Sequence, residues 1–485
     1  MSAHQSTPIL TTMLNKFYNE YLVNTLTSVH NTTPNATEEV ILSAVYYGLY
    51  GGHGIRRKII ADNAVMLNYQ KKHNKYDRNN MLSNLFRSVI INPKTMAITS
   101  MGLPQSEALT DDIRAQMQAM ESPSFPMFYR CETFDIGTMI IFNKDRTYTY
   151  TLHDNDDDTD EQVTLDASIS TRSKIGTGSY NTDMTHRYYF EKNNMTDPTN
   201  IIDLSKIPDD MKSVTLVFNM RNEAEHVGRI SDNSLVGAFQ MPTDEAALQA
   251  NWNAIITLVQ SATTASSESF DAALRQLLKR HFELAHVTML NVLNVQQRLI
   301  SAGVGTFKLP MQLNLNSLAE VEEYVSKQQF HEQGVMIWLP NCSRTKLRNP
   351  QFTYVRNLCY NHPINPSPLN QKNLFKIFWN LQLENKVPEF FKYYETSDFK
   401  YNFIFNYFHT RIFQFANYLF QTYHELHVLK RLQGDKVPKF LKPLCYELHG
   451  KYLANKEPIT REKVMLFIRD MEVWALYGRL FTPIF

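Results

Sequence analysis

Residues 131–142 read CETFDIGTMIIF. The run MIIF opens a strand candidate that continues past the turn residues NKD into TYTYTL, a hairpin pattern over 139–152. Phe134 reads as a strand aromatic filling a pocket or the core, since large aromatics favour burial. Thr133 beside it carries a hydroxyl, but nothing local marks a base to activate it. Working outward, SVIINPKTMAITSM has the same form, two apolar runs around NPKT. VTLDASISTR and SVTLVFNM alternate like strands, and GVMIWLPNCSRTKLRN reads as a strand pair. Residues 1–80 read as mostly helical, with EEVILSAVYYGLYGG ending on two glycines. DAALRQLLKRHFELAHVTMLNVL spaces Leu274, Leu277, Leu278, Phe282 and Leu284 as a helix does. NHPINPSPLN, with three prolines in ten residues, reads as a linker, and residues 371–485 read as helices rich in aromatics.

A chain of 485 residues exceeds one ordinary core, so two or three domains are expected. Hydrophobic residues make up 43% and charged residues 20%, as in a soluble globular protein. A net charge of +1 excludes a global polycation, so any nucleic-acid site must be a local patch. Cys131, Cys342, Cys359 and Cys445 form no C-x-x-C pair. That speaks against a zinc site or a disulfide scaffold and suits a reducing compartment, cytoplasmic or nuclear, with no secretion expected. No signal-peptide pattern and no run of 18 apolar residues stands out, so no membrane partner is expected. The abundance of Asn, Tyr and Phe fits an AT-rich genome such as a viral one.

Read in order, several pieces resemble the adenylyltransferase domain of the bacteriophage-type RNA ligases, a branch of the covalent nucleotidyltransferases. FRSVIINPKTMAITSM resembles the family's RGxIxxPxTGEI hairpin, with Arg87 kept and Ser88 at the glycine. TFDIGTMI resembles the nucleophile motif E-K-x-D-G-T-L-I. Gly137, Thr138, Met139 and Ile140 follow the pattern, while Phe134 stands at the lysine and Ile136 at the aspartate. Thr171-Arg172-Ser173 resembles T-R-G. SVTLVFNMRNEAEHVGRI resembles the strand with F-E-L and N-R-I-V, with Asn219 at the glutamate and Arg229 after a longer gap. QGVM resembles E-G-x-V, with Gln333 at the glutamate, or Glu332 by a one-residue slip, followed by Gly334. TKLRNPQFTYV resembles the K-x-K motif through Lys346 and Arg348. The resemblance spans residues 80–360. Each piece is weak by itself, and their order and spacing carry the likeness.

That resemblance implies a lysine amine attacking the α-phosphate of ATP, with carboxylates holding ribose and magnesium. Phenylalanine has no lone pair to replace the amine, and Asn219 and Gln333 carry no charge. Arg87, Arg172, Lys346 and Arg348 remain, and such groups bind phosphate with or without catalysis. The alternative for Lys346 and Arg348 is a solvated strand face, and for Arg87 and Arg172 ordinary surface arginines. No catalytic residue and no metal site are expected, and ATP and magnesium enter only if activity is retained. Lys144 is the nearest downstream lysine, but NKD reads as a turn. KYDRNN, at 75–80, precedes the hairpin and so stands in the wrong order. The acidic run Asp154, Asp156, Asp157 and Asp158 reads as a solvated hairpin tip, because the Gly and Glu of a calcium loop are missing. His281 and His286 are five apart, not a metal pair, and read as packing or surface residues.

Residues 361–485 carry 17 Lys/Arg against 11 Asp/Glu. Basic charge interleaved with aromatics suits RNA, although aromatics on helices are more often core. Thr460 reads as an N-cap. The expected architecture is α+β: a helical N-terminal region (1–80), an antiparallel-sheet nucleotidyltransferase domain (81–360) and an all-helical C-terminal domain (371–485). The expected function is an RNA-ligase-like protein without lysine-adenylate chemistry, acting as an RNA- or phosphate-binding or assembly subunit. The alternatives are a divergent active ATP-dependent ligase, or a structural component or accessory subunit of a transcription or virion complex.

Overall fold

The computed structural model describes residues 8–69, 81–87, 89–104, 106–119, 130–134, 138–143, 147–152, 161–166, 169–171, 206–220, 234–261, 267–305, 307–339, 344–360, 371–394 and 401–481. The chain divides into two units. One holds residues 1–222, 229–328 and 332–349, the other residues 223–228, 329–331 and 350–485. The fold is mixed α+β, with mostly antiparallel sheets and many helices.

In the first unit, β1 (Ile55–Ala61), β2 (Ala64–Tyr69), β3 (Val89–Asn92) and β4 (Ala97–Met101) form one sheet in that order. After β5 (Glu107–Ala108) and β6 (Arg130–Thr133) come β7 (Thr138–Asn143), β8 (Thr147–Leu152), β9 (Glu161–Asp166) and β10 (Ile169–Thr171). β11 (Val214–Met220), β12 (Ser234–Gln240), β13 (Thr288–Met289), β14 (Gly334–Trp338) and β15 (Arg344–Arg348) complete the set. A second sheet runs β10-β7-β11-β12-β13 and a third β5-β15-β14-β6, while β8 and β9 pair as a separate ribbon.

The N-terminal helical reading holds to His53 and no further. Gly54 closes helix Glu38–His53 in the left-handed region at φ 66, where a missing Cβ removes the steric cost. Beyond it β1 and β2 pair around the Asp62–Asn63 turn, although both fall within the stretch read as helical. The NPKT hairpin is present: Asn92 Oδ1 accepts from Lys94 N at 3.0 Å, and β3 pairs with β4. The hairpin reading of 139–152 needs correction. Both strands form, but β7 bonds to β10 and β11, and β8 bonds to β9. Ile141 and Phe142 are buried on successive positions, so β7 has both faces covered and takes an interior place with partners on each side.

The largest core of this unit joins helices Leu22–Thr32, Glu38–His53, Glu245–Gln260 and Ser267–Leu284 to the first sheet, around Phe17, Phe86 and Trp252. The third sheet turns Cys131, Val335 and Ile337 toward helix Leu318–Ser326, which meets them with Val321 and Val325. Ser317 starts that helix by accepting from Glu320 N, and Glu320 answers by accepting from Asn316 N. Among its described residues the second unit has helices and no strand, and its aromatics are mainly core: Phe375, Phe378, Phe390, Phe405 and Phe408 interlock. Thr460 caps helix Arg461–Arg469 by accepting from Lys463 N. Arg172, Gly137, Lys144, Arg229, Cys342, the 154–158 acidic run, KYDRNN and the 361–370 linker lie outside the described residues.

His281 is a core residue, packed between Tyr18 and Trp252, while His286 lies against Phe282. Burial pushes the His281 imidazole down to about 4. A lowered histidine pKa means that the unfolded chain binds the extra proton first. Stability is therefore complete above pH 6.5 and falls as the pH drops toward 4, by on the order of 3 kcal/mol. In His281→Leu, the difference in urea midpoint between pH 7 and pH 4.5 should narrow. An unchanged difference would show that acid sensitivity arises elsewhere.

Candidate functional site

The segment quoted at the outset supplies one strand to each of two sheets. Cys131–Thr133 pair with Val335–Ile337 in the third sheet. Thr138–Asn143 pair with Thr215–Met220 in the second. Phe134 sits at the crossing, its N–H donating to Gly334 O at 3.1 Å. The pairings set several sequence-predicted positions side by side. Thr138 and Met139 face Met220 and Asn219 across the second sheet, β10 carries Thr171 beside Ile140, and Gly334 faces Arg348 across the third.

Alternation puts Arg344, Lys346 and Arg348 on one face of β15, opposite Thr345 and Leu347. Lys346 Nζ lies 6.0 Å and Arg348 Cζ 5.7 Å from the Phe134 ring centroid, so the strand brings both cations against that aromatic. Lys346 Nζ also donates to Ser106 Oγ at 3.2 Å. At the other end of the row, Arg130 and Arg344 lie 4.5 and 5.2 Å from the Trp338 ring. Glu132, only 6% exposed, accepts from Trp338 Nε1 at 2.8 Å and pairs with Arg130 Nε at 3.0 Å. A buried carboxylate requires such partners, because an uncompensated charge in the interior costs several kcal/mol.

Arg344 registers the electrostatics of this face. Burial first, and then the guanidiniums of Arg87 and Arg130, pull it down to about 9, with Glu132 opposing. It stays protonated at neutral pH, but the folded protein works against that charge. Arg87, at the end of the segment before β3, is thus close enough to act on β15. The row gathers several cations, one buried carboxylate, and rings that fix where the cations sit.

The Lys346 amine near the Phe134 ring is engaged with Ser106 Oγ. Thr133 Oγ1 accepts from Met311 N at 3.1 Å. Cys131 points to the opposite, apolar face, and burial raises its thiol to about 12. Gln333 uses its carbonyl to accept from Asn349 N, and Glu332 likewise accepts from Asn349 Nδ2. Sequence reading missed Arg130, Glu132, Trp338 and Arg344. For Arg344 the signal was present, two residues before Lys346 on the same strand face. For the other three it required the β6–β14 pairing.

Gly334 is fixed by geometry. Its φ is +127, and a Cβ there would lie 2.1 Å from Leu347 O. Gly334→Ala should cut the yield of folded protein and lower its thermal midpoint, with circular dichroism as the readout. Glu132→Leu should destabilise by about 3 kcal/mol, because the half-buried Arg130 is left without its carboxylate. An Arg130→Met/Glu132→Leu double variant should recover part of that loss in urea unfolding.

Among the described residues, no group of three or more His, Cys, Asp or Glu could hold a metal ion, and no helix is long and apolar enough to cross a membrane. No protein-family model and no curated protein matches the chain.

Proposed function

We propose that the first unit is a nucleotidyltransferase domain of the RNA-ligase kind that has lost its lysine-adenylate chemistry. It keeps the cationic face of the third sheet for RNA or phosphate, alone or as a subunit of a larger assembly. One observation carries the reading: Phe134, which stands at the lysine's place in the resemblance, has Lys346 and Arg348 against its ring. A benzyl group cannot attack phosphorus, and cations next to it can hold an anion without a reaction following. The order in which β6, β7, β10, β11, β14 and β15 carry the resembling motifs supports the same reading. The chain then needs no cofactor to fold or to bind, and ATP with magnesium is a ligand only if chemistry persists.

Incubation with α-labelled ATP and magnesium should leave no acid-labile adduct on the protein. An adduct would overturn the proposal, and Lys144→Ala and Lys346→Ala would locate the amine. Labelled RNA should bind with an affinity that falls with salt. Lys346→Ala/Arg348→Ala should flatten that dependence by about 0.7 for each phosphate the variant no longer neutralises. Binding without salt dependence, or unchanged in the double variant, would leave assembly as the function of the fold.

A further inference from the structure

Helix Tyr401–Tyr423, in the second unit, carries aromatic side chains on two opposite sides. One stripe, with Phe405, Phe408, Ile412, Phe415 and Leu419, belongs to the core. On a helix of 3.6 residues per turn, Phe403, Asn406, Thr410 and Phe413 fall within an arc of about 80°, roughly opposite that stripe. All four are exposed, Phe403 at 78% and Phe413 at 54%. Tyr407, 43% exposed, borders the arc. A solvated helix face ordinarily carries charge, yet no exposed residue of this helix is Asp, Glu, Lys or Arg. Arg411 is the helix's one Lys, Arg, Asp or Glu. It is half-buried, donates to Leu480 O at 2.6 Å and lies 5.8 Å from the Phe481 ring.

The exposed side is spaced as a coiled-coil seam. Positions 403, 406, 410 and 413 step by three, four and three, the pattern by which two helices interlock. The seam is also symmetric about position 408. In an antiparallel pair of identical helices, Phe403 of each copy meets Phe413 of the other, and Asn406 of each meets Thr410 of the other. Aromatic pairs thus close both ends, and polar pairs at the centre fix the register. A face without formal charge meets its own copy with no like charges opposed, and gives a polyanion nothing to hold.

The area fits a modest association. At ~200 Å² per aromatic side chain, the exposed parts of Phe403, Tyr407 and Phe413 come to roughly 350 Å² on each copy. Pairing two copies brings about 700 Å² of ring surface together, and the Asn, Thr and Gln side chains beside it carry the total toward the ~1,200 Å² at which standard interfaces begin.

We infer that this face docks a second copy of the chain, helix Tyr401–Tyr423 packing antiparallel on its counterpart about a two-fold axis at position 408. The inference uses no residue of the first unit and is independent of the Phe134 reading.

The test is sedimentation velocity of the full chain over a series from ~1 to ~100 μM. The unaltered protein should pass from monomer to dimer. Phe403→Lys/Phe413→Lys opposes two ammoniums at each end of the seam and should weaken the dimer about a hundredfold or more. Phe403→Lys/Phe413→Glu sets opposite charges across both ends of the antiparallel register, and should restore most of the association and make it sensitive to salt. Both positions are exposed, so in dilute solution both variants should keep the thermal midpoint of the unaltered monomer. A chain that stays monomeric throughout, or a double-lysine variant that associates as before, overturns the inference. So does a mixed-charge variant no better than the double-lysine one, since a parallel pair would set its like charges together. A midpoint lowered by several degrees in the dilute double-lysine variant would show the face covered from within the chain, and likewise refutes a second copy.

Discussion

Two ladders of backbone hydrogen bonds, one through Cys131–Thr133 and one through Thr138–Asn143, tie the second and third sheets to a single run of chain. Everything at the candidate site follows from that constraint. Phe134 is held where the ladders part, by its own N–H to Gly334 O. Gly334 can take that place only because it lacks a side chain, since Leu347 O fills the space a Cβ would need. The close approach in turn brings β15 to Phe134 and fixes the row Arg344, Lys346, Arg348 on the same face. A shift of one residue in β15 would turn all three cations toward Val321 and the apolar layer.

The cationic face is therefore a place where the fold accepts electrostatic cost. Arg344 is harder to keep charged than a free arginine, and Glu132 is buried to neutralise its neighbour. Trp338 and Phe134 give the guanidiniums and the ammonium an attractive face.

Much of this was legible in the residues. Apolar runs broken by turn residues located β3, β4, β14 and β15, SVTLVFNM read as the strand β11, and the NPKT and 339–343 connections paired β3 with β4 and β14 with β15. Thr460 was readable from local capping chemistry, but the stop read at Gly51–Gly52 was not: both are helical, and the helix runs on to His53 and closes on Gly54. What was not legible depended on distant parts of the chain. NKD suggested that β7 and β8 pair with each other, but a turn signal cannot show that β7 needs partners on both edges. The strands at 55–69 were masked by the helix before them. Arg130 and Glu132 acquire meaning only once β14 places Trp338 between them, some 200 residues later in the chain. Arg172 and Gly137 lie outside the described residues, so the fate of those two readings rests with chemistry rather than geometry.

The pairing of β6 with β14 also sets the order of events during synthesis. Thr133 leaves the ribosome long before Val335 exists, and at 5–20 residues per second the delay is on the order of 10–40 s. During that time one apolar strand face and two arginines wait without their neighbours. A nascent chain of this kind cannot close its central sheet in stages. The third sheet closes only once β14 and β15 have been made.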